Sequence, residues 1–170
     1  MSVAPVPIAL ERPLLILGVG NVLLQDEGVG IHLAEALELE PALLPGGAMV
    51  VDGGTLGIEL LPLVADAGAL LLLDALNVGA KPGTVRIFRG DDLTAAFGTR
   101  MSPHQVGAGD LLAVARLTGA LPQAVALVGI QPQTIDYCLD LSAVVSAAMP
   151  GALAAARDEA WALREAMLHA

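Results

Sequence analysis

Three side chains of the kinds that bind divalent ions stand where apolar runs of this sequence give way to polar loops. Glu27 lies in Leu17–Gly30 (LGVGNVLLQDEGVG), Asp74 interrupts the aliphatic run Leu70–Leu76 (LLLLDAL), and His104 sits in Met101–Gln105 (MSPHQ). Two carboxylates and one imidazole suit a borderline ion such as zinc or nickel, with positions left open for water or substrate. Asp74 is the most demanding of the three, because an acid directly after four leucines needs a partner or an opening to solvent. Each also has a purely structural use. Asp26 or Glu27 can stabilise a helix N-terminus, Asp74 can cap a neighbouring loop, and His104 can donate to a backbone carbonyl.

Other chemistries fit less well. Gly18 and Gly20 follow an apolar run and Asp52 ends the next, which resembles the start of a dinucleotide-binding fingerprint. The third glycine of that fingerprint is replaced by Leu23. Asp26 and Glu27 would then stand where a pyrophosphate meets the helix N-terminus, and they would repel it. There is no G-x-S-x-G elbow and no H-E-x-x-H pair, and Cys138 has no evident orienting partner.

These residues need elements to hold them. Leu14 to Val19, Met49 to Asp52, Leu70 to Asp74 and Val125 to Ile130 are near-continuous aliphatic runs, as strands buried on both faces of a parallel sheet read. Thr84 to Phe88, after Lys81-Pro82-Gly83, alternates more and reads as an edge strand. Val29, Leu33 and Leu37 mark one helix, and Leu56 to Ala65 a shorter one. Ser102-Pro103 reads as the cap and first residue of a third, and Ser142 starts a last helix expected to bend at Pro150. Strands alternating with helices predict an α/β sandwich with a mostly parallel sheet, whose ligands bind beyond the carboxyl ends of the strands.

The chain has 170 residues, which suits one domain spanning 1–170, with 1–12 as an N-terminal extension. A formal charge of −10, with Lys81 the only lysine, argues against nucleic acid or an anionic membrane as partner. Hydrophobic residues make up 55%, yet the longest uncharged stretch, Leu141 to Ala156, is too short to span a bilayer and contains Pro150. The first residues lack the basic segment of a signal peptide, so the expected location is the cytoplasm. With Cys138 as the single cysteine, the chain cannot supply a thiolate-rich metal site.

The segment GNVLLQDEGVG (Gly20 to Gly30) resembles the signature of the hydrogenase maturation endopeptidases, which process the large subunit of nickel–iron hydrogenases. The likeness continues in order through DGGTLG (Asp52 to Gly57), LLLLDAL, PGTVRIF (Pro82 to Phe88), SPHQVG (Ser102 to Gly107) and VGIQPQTIDYCLDLS (Val128 to Ser142). It implies a three-layer fold with a twisted, mostly parallel five-stranded sheet between helices. It implies removal of a C-terminal extension from the large-subunit precursor once nickel is inserted, and it carries the family's metal-contacting role onto Glu27, Asp74 and His104. The nickel is expected to arrive with the substrate, with zinc or cadmium substituting in vitro. Asp26 is expected to orient the Glu27 loop or to accept a hydrogen bond from a metal ligand. Asn21 and the loop of Asp52, Gly53 and Gly54 are expected to shape the groove for the substrate tail. Two alternatives stay open: a non-catalytic binder or chaperone of the hydrogenase subunit, and a nucleotide-binding α/β protein.

Overall fold

The computed structural model describes residues 12–93, 96 and 106–169. His104, with the Ser102-Pro103 helix start, lies outside the described residues. The elements run β1 (Leu14–Gly18), α1 (Val29–Glu38), β2 (Ala48–Asp52), α2 (Leu61–Ala65), β3 (Ala69–Ala75), β4 (Val85–Arg89), α3 (Val106–Leu117), β5 (Ala124–Ile130) and α4 (Ala143–Leu168).

The sheet has five strands in the order β2-β1-β3-β5-β4. All neighbours are parallel except β4, which pairs antiparallel with β5 and forms an edge. Alternation along each strand divides the aliphatic side chains between two layers. Leu14, Ile16, Leu71, Leu73, Val128 and Ile130 face α1 and α4. Leu15, Leu17, Leu70, Leu72 and Leu127 face the other way, toward Val64 of α2 and Leu111 and Ala115 of α3. Every residue of β1 and β3 is buried, which accounts for their unbroken aliphatic character. At roughly 1.5–3 kcal/mol per buried aliphatic side chain, these two strands anchor the fold.

The last helix continues past Pro150 to Leu168 as one element, as expected. Proline removes one N–H, that which would bond Ser146 C=O, while buried Val145, Ala152, Ala156 and Ala160 on either side hold the helix to the sheet. Edge strand β4 is tied to the same helix by Arg89, whose Nε donates at 2.8 Å to the buried carboxylate of Glu159. No helix among the described residues is long and apolar enough to cross a membrane.

Candidate active site

The strand order places a topological switch point between β1 and β3. The chain leaves β1 toward β2 on one side and returns to β3 on the other, so the loops beyond the carboxyl ends of β1 and β3 part and leave a crevice. A cavity of about 280 Å³ lies there. Val19, Gly20, Asn21 and Glu27 line it from the β1 side, Asp74, Ala75 and Asn77 from β3, Gly54 and Thr55 from the β2 loop, and Gly107, Ala108 and Leu111 from the start of α3.

Glu27 reaches the cavity because the loop after β1 folds back on itself. Gly20 has φ +137°, and a Cβ there would lie 2.0 Å from the carbonyl oxygen of Glu27. Only glycine permits that approach. Gly30 serves the same turn at its far end, where a Cβ would fall 2.3 Å from the carbonyl oxygens of both Val19 and Leu73. The Gly20 N–H donates to Gly54 C=O at 3.0 Å, joining this loop to the one after β2.

Asp26 points away from the cavity and holds the loop from behind. It is fully buried, and its Oδ2 accepts from the backbone N–H of Gln133 (2.8 Å) and Thr134 (3.1 Å). Ser142 donates twice more, through its N–H to Oδ1 (2.7 Å) and its hydroxyl to Oδ2 (2.8 Å). Ser142 also caps α4, its Oγ accepting from Val145 N–H at 3.3 Å. The backbones of Leu23, Gln25 and Cys138 complete the attachment, with Gln25 N–H to Cys138 C=O at 2.9 Å and Cys138 N–H to Leu23 C=O at 3.2 Å. The VGIQPQTIDYCLDLS segment is thus the clasp of the Glu27 loop.

Asp74 and Glu27 are both nearly buried, at 5% and 7% exposure. Burial raises the Asp74 carboxyl well above its usual range; the Ala75 N–H partly offsets this, and the charge of Glu27 adds to it. A cavity holding two such carboxylates is electrostatically suited to a cation, which would repay the desolvation of both.

Of the residues singled out in the sequence, the structure brings Glu27, Asp74, Asn21 and Gly54 together at the cavity. Asp26, Asp52 and Gly53 do not line it. Asp52 is exposed and shapes its turn by accepting Gly54 N–H at 2.8 Å, while Gly53 is buried, with its N–H on Gly18 C=O at 2.8 Å. His104 lies outside the described residues, three positions before cavity-lining Gly107. Among the described residues, no group of three or more His, Cys, Asp or Glu is placed to hold a metal ion. Sequence reasoning missed Asn77 and Gln131. Both are ordinary amides in loops, and only the long-range contact between them marks them.

The likeness to known proteins agrees with this geometry. The hydrogenase maturation protease (HycI) family profile matches residues 31–159. Hydrogenase 2 maturation protease of Escherichia coli is 41% identical over 142 residues, 82% of this chain and 85% of that protein. Hydrogenase expression/formation protein HupM of Azotobacter chroococcum is 43% identical over 145 residues, 84% of this chain and 69% of that one. Among solved structures, the hydrogenase maturating endopeptidase HybD of E. coli superposes with a TM-score of 0.79 at 38% identity, over 91% of this chain and 93% of its own. The [NiFe] hydrogenase maturation protease HybD of Thermococcus kodakarensis gives 0.72 at 28%, over 87% and 99%. With the profile spanning most of the sequence and relatives above 40% identity over most of its length, the chain belongs to the hydrogenase maturation protease family.

Proposed function

We propose that this chain is an endopeptidase that removes the C-terminal extension of a nickel–iron hydrogenase large-subunit precursor in the cytoplasm, after nickel has been inserted. Glu27 and Asp74, with His104, engage the nickel that the precursor carries, and zinc or cadmium takes its place in vitro. The observation that carries this reading is the pairing of Glu27 and Asp74, from two different strand ends, in one cavity at the switch point of the sheet. Two desolvated carboxylates attract a dication, and a precursor without nickel lacks that anchor. The metal supplies an anchor for the tail and a Lewis acid near the scissile bond.

The test incubates the purified protein with nickel-loaded and nickel-free precursor and weighs the products by mass spectrometry. The loaded precursor loses the mass of its extension and the nickel-free form does not. Equal cleavage of both overturns nickel recognition. Binding with unchanged mass identifies a chaperone instead of a protease.

A further inference from the structure

Asn77 stands just beyond β3, three positions after Asp74, and lines the same cavity. The direction of its amide is fixed by backbone groups that can only donate. The N–H groups of Val78 and Ala80 both bond one end of the Gln131 amide, at 3.0 and 3.2 Å, so that end is the oxygen Oε1. Its other end is therefore the donor Nε2, which bonds Asn77 Oδ1 at 3.2 Å and Pro132 C=O at 3.4 Å. The Gly79 N–H also donates to Asn77 Oδ1, at 3.4 Å. With its oxygen engaged by Gln131 and Gly79, Asn77 keeps its Nδ2 donors on the opposite side, and no hydrogen bond among the described residues uses them.

Gln131 is well placed to enforce this. It is 7% exposed and follows the last residue of β5. Its N–H donates to Thr84 C=O at 2.9 Å and its C=O accepts from Gly83 N–H at 2.8 Å. A backbone locked on both sides leaves its side chain little freedom.

We infer that Asn77 Nδ2 donates a hydrogen bond to a backbone carbonyl of the precursor's C-terminal segment, and that Gln131 is the positioning residue that keeps this donor turned to the cleft. The chemistry of the cavity asks for such a group. Glu27 and Asp74 are given over to the metal, so a peptide carbonyl entering the cavity needs a separate donor, and a preorganised amide lining the same cavity supplies one. The inference rests on the protease reading above.

The test measures single-turnover processing of nickel-loaded precursor, with melting temperature in parallel. Asn77 is exposed, so Asn77→Ala and Asn77→Asp fold and their rates decide the donor role. Both slow processing roughly tenfold or more while melting near the wild-type temperature, with Asp the worse because it presents an acceptor of the same shape. Gln131→Glu keeps an acceptor for Val78 and Ala80 but puts a second oxygen against Asn77. That draws the Asn77 NH2 inward and turns its oxygen to the cleft. Gln131→Glu therefore slows the wild-type background as Asn77→Asp does and adds little in the Asn77→Ala background. Asn77→Ala processing at the wild-type rate overturns the donor role. Gln131→Glu slowing Asn77→Ala as much as it slows wild type overturns the positioning role. If wild-type protein itself leaves the loaded precursor uncut, the protease reading fails, and the inference with it.

Discussion

Glu27, from the loop after β1, and Asp74, from the end of β3, share one cavity, where burial first and the Glu27 charge second raise the Asp74 carboxyl above the ordinary range. The fold thus holds two like-charged groups together at a cost in stability. Such a cost persists at sites whose charges serve a ligand.

Asp74→Asn should make that cost visible. An unfolded Asp titrates near pH 4, whereas folded Asp74 holds its proton to higher pH. The native state binds more protons across that window, so the stability from this group is complete below about pH 4 and falls as pH rises through the folded pKa. Asparagine, neutral throughout, loses nothing. At neutral pH the variant melts about 2–4 °C above wild type, the shift that roughly 1 kcal/mol makes in a chain of this size, and the gap closes in acid. Scanning fluorimetry across pH checks this, and a gap that widens in acid contradicts it. The same variant does not process precursor.

Asp26→Ala should be among the most damaging single changes outside the aliphatic core. It leaves the backbone N–H groups of Gln133, Thr134 and Ser142, the last of them buried, without their acceptor. At about 1–3 kcal/mol for each donor left unmade, partly relieved by water, a total loss of roughly 3–5 kcal/mol is expected. Asp26→Asn keeps one acceptor oxygen and loses less. Urea unfolding measures both, and equal losses would show that packing, rather than hydrogen bonding, gives Asp26 its role.

Gly20→Ala tests the fold-back of the loop. The added methyl would sit 2.0 Å from Glu27 C=O, so the turn must open and move Glu27. Processing should fall at least tenfold, and stability by about 1–3 kcal/mol for a non-glycine residue held at φ +137°. An alanine variant as active as wild type would mean that Glu27 tolerates displacement.

Metals and nucleotides separate the remaining alternatives. Nickel, zinc or cadmium should raise the melting temperature, by the equivalent of about 2.7 kcal/mol at a hundred times the dissociation constant. NAD and ATP should not. Glu27→Gln should remove the metal response without lowering the metal-free melting temperature. A nucleotide-induced rise, with no response to metal, reverses the assignment.

Much of the molecule was legible in the sequence, for reasons that can be named. Leu70 to Leu73 read as a strand because a central parallel strand is apolar on both faces. Thr84 to Phe88 read as an edge because polar residues interrupt its apolar ones, and no residue of β4 is fully buried where it ends the sheet. The placing of Glu27 and Asp74 beside one cavity was legible because the carboxyl ends of strands are where α/β sheets leave a crevice. The direction of Asp26 was not legible, since its partners lie more than a hundred positions away. Asp52 and Gly53 sit in the expected loop, yet the turn made by Asp52 and Gly54 leaves Gly54 and Thr55, not those two, along the cavity. The pairing of Asn77 with Gln131 depends on the β3–β5 register, which no local pattern encodes.

Asp26 meets Ser142 across 116 positions of chain. Synthesis proceeds from the N-terminus, so β1, β2 and β3 emerge well before the partner that fixes the Glu27 turn. The last bonds that hold the turn, from the Ser142 N–H and hydroxyl to Asp26, form only when the first turn of α4 docks. The shape of the Glu27 turn is therefore a late product of folding, closed by a contact between the first and last thirds of the sequence.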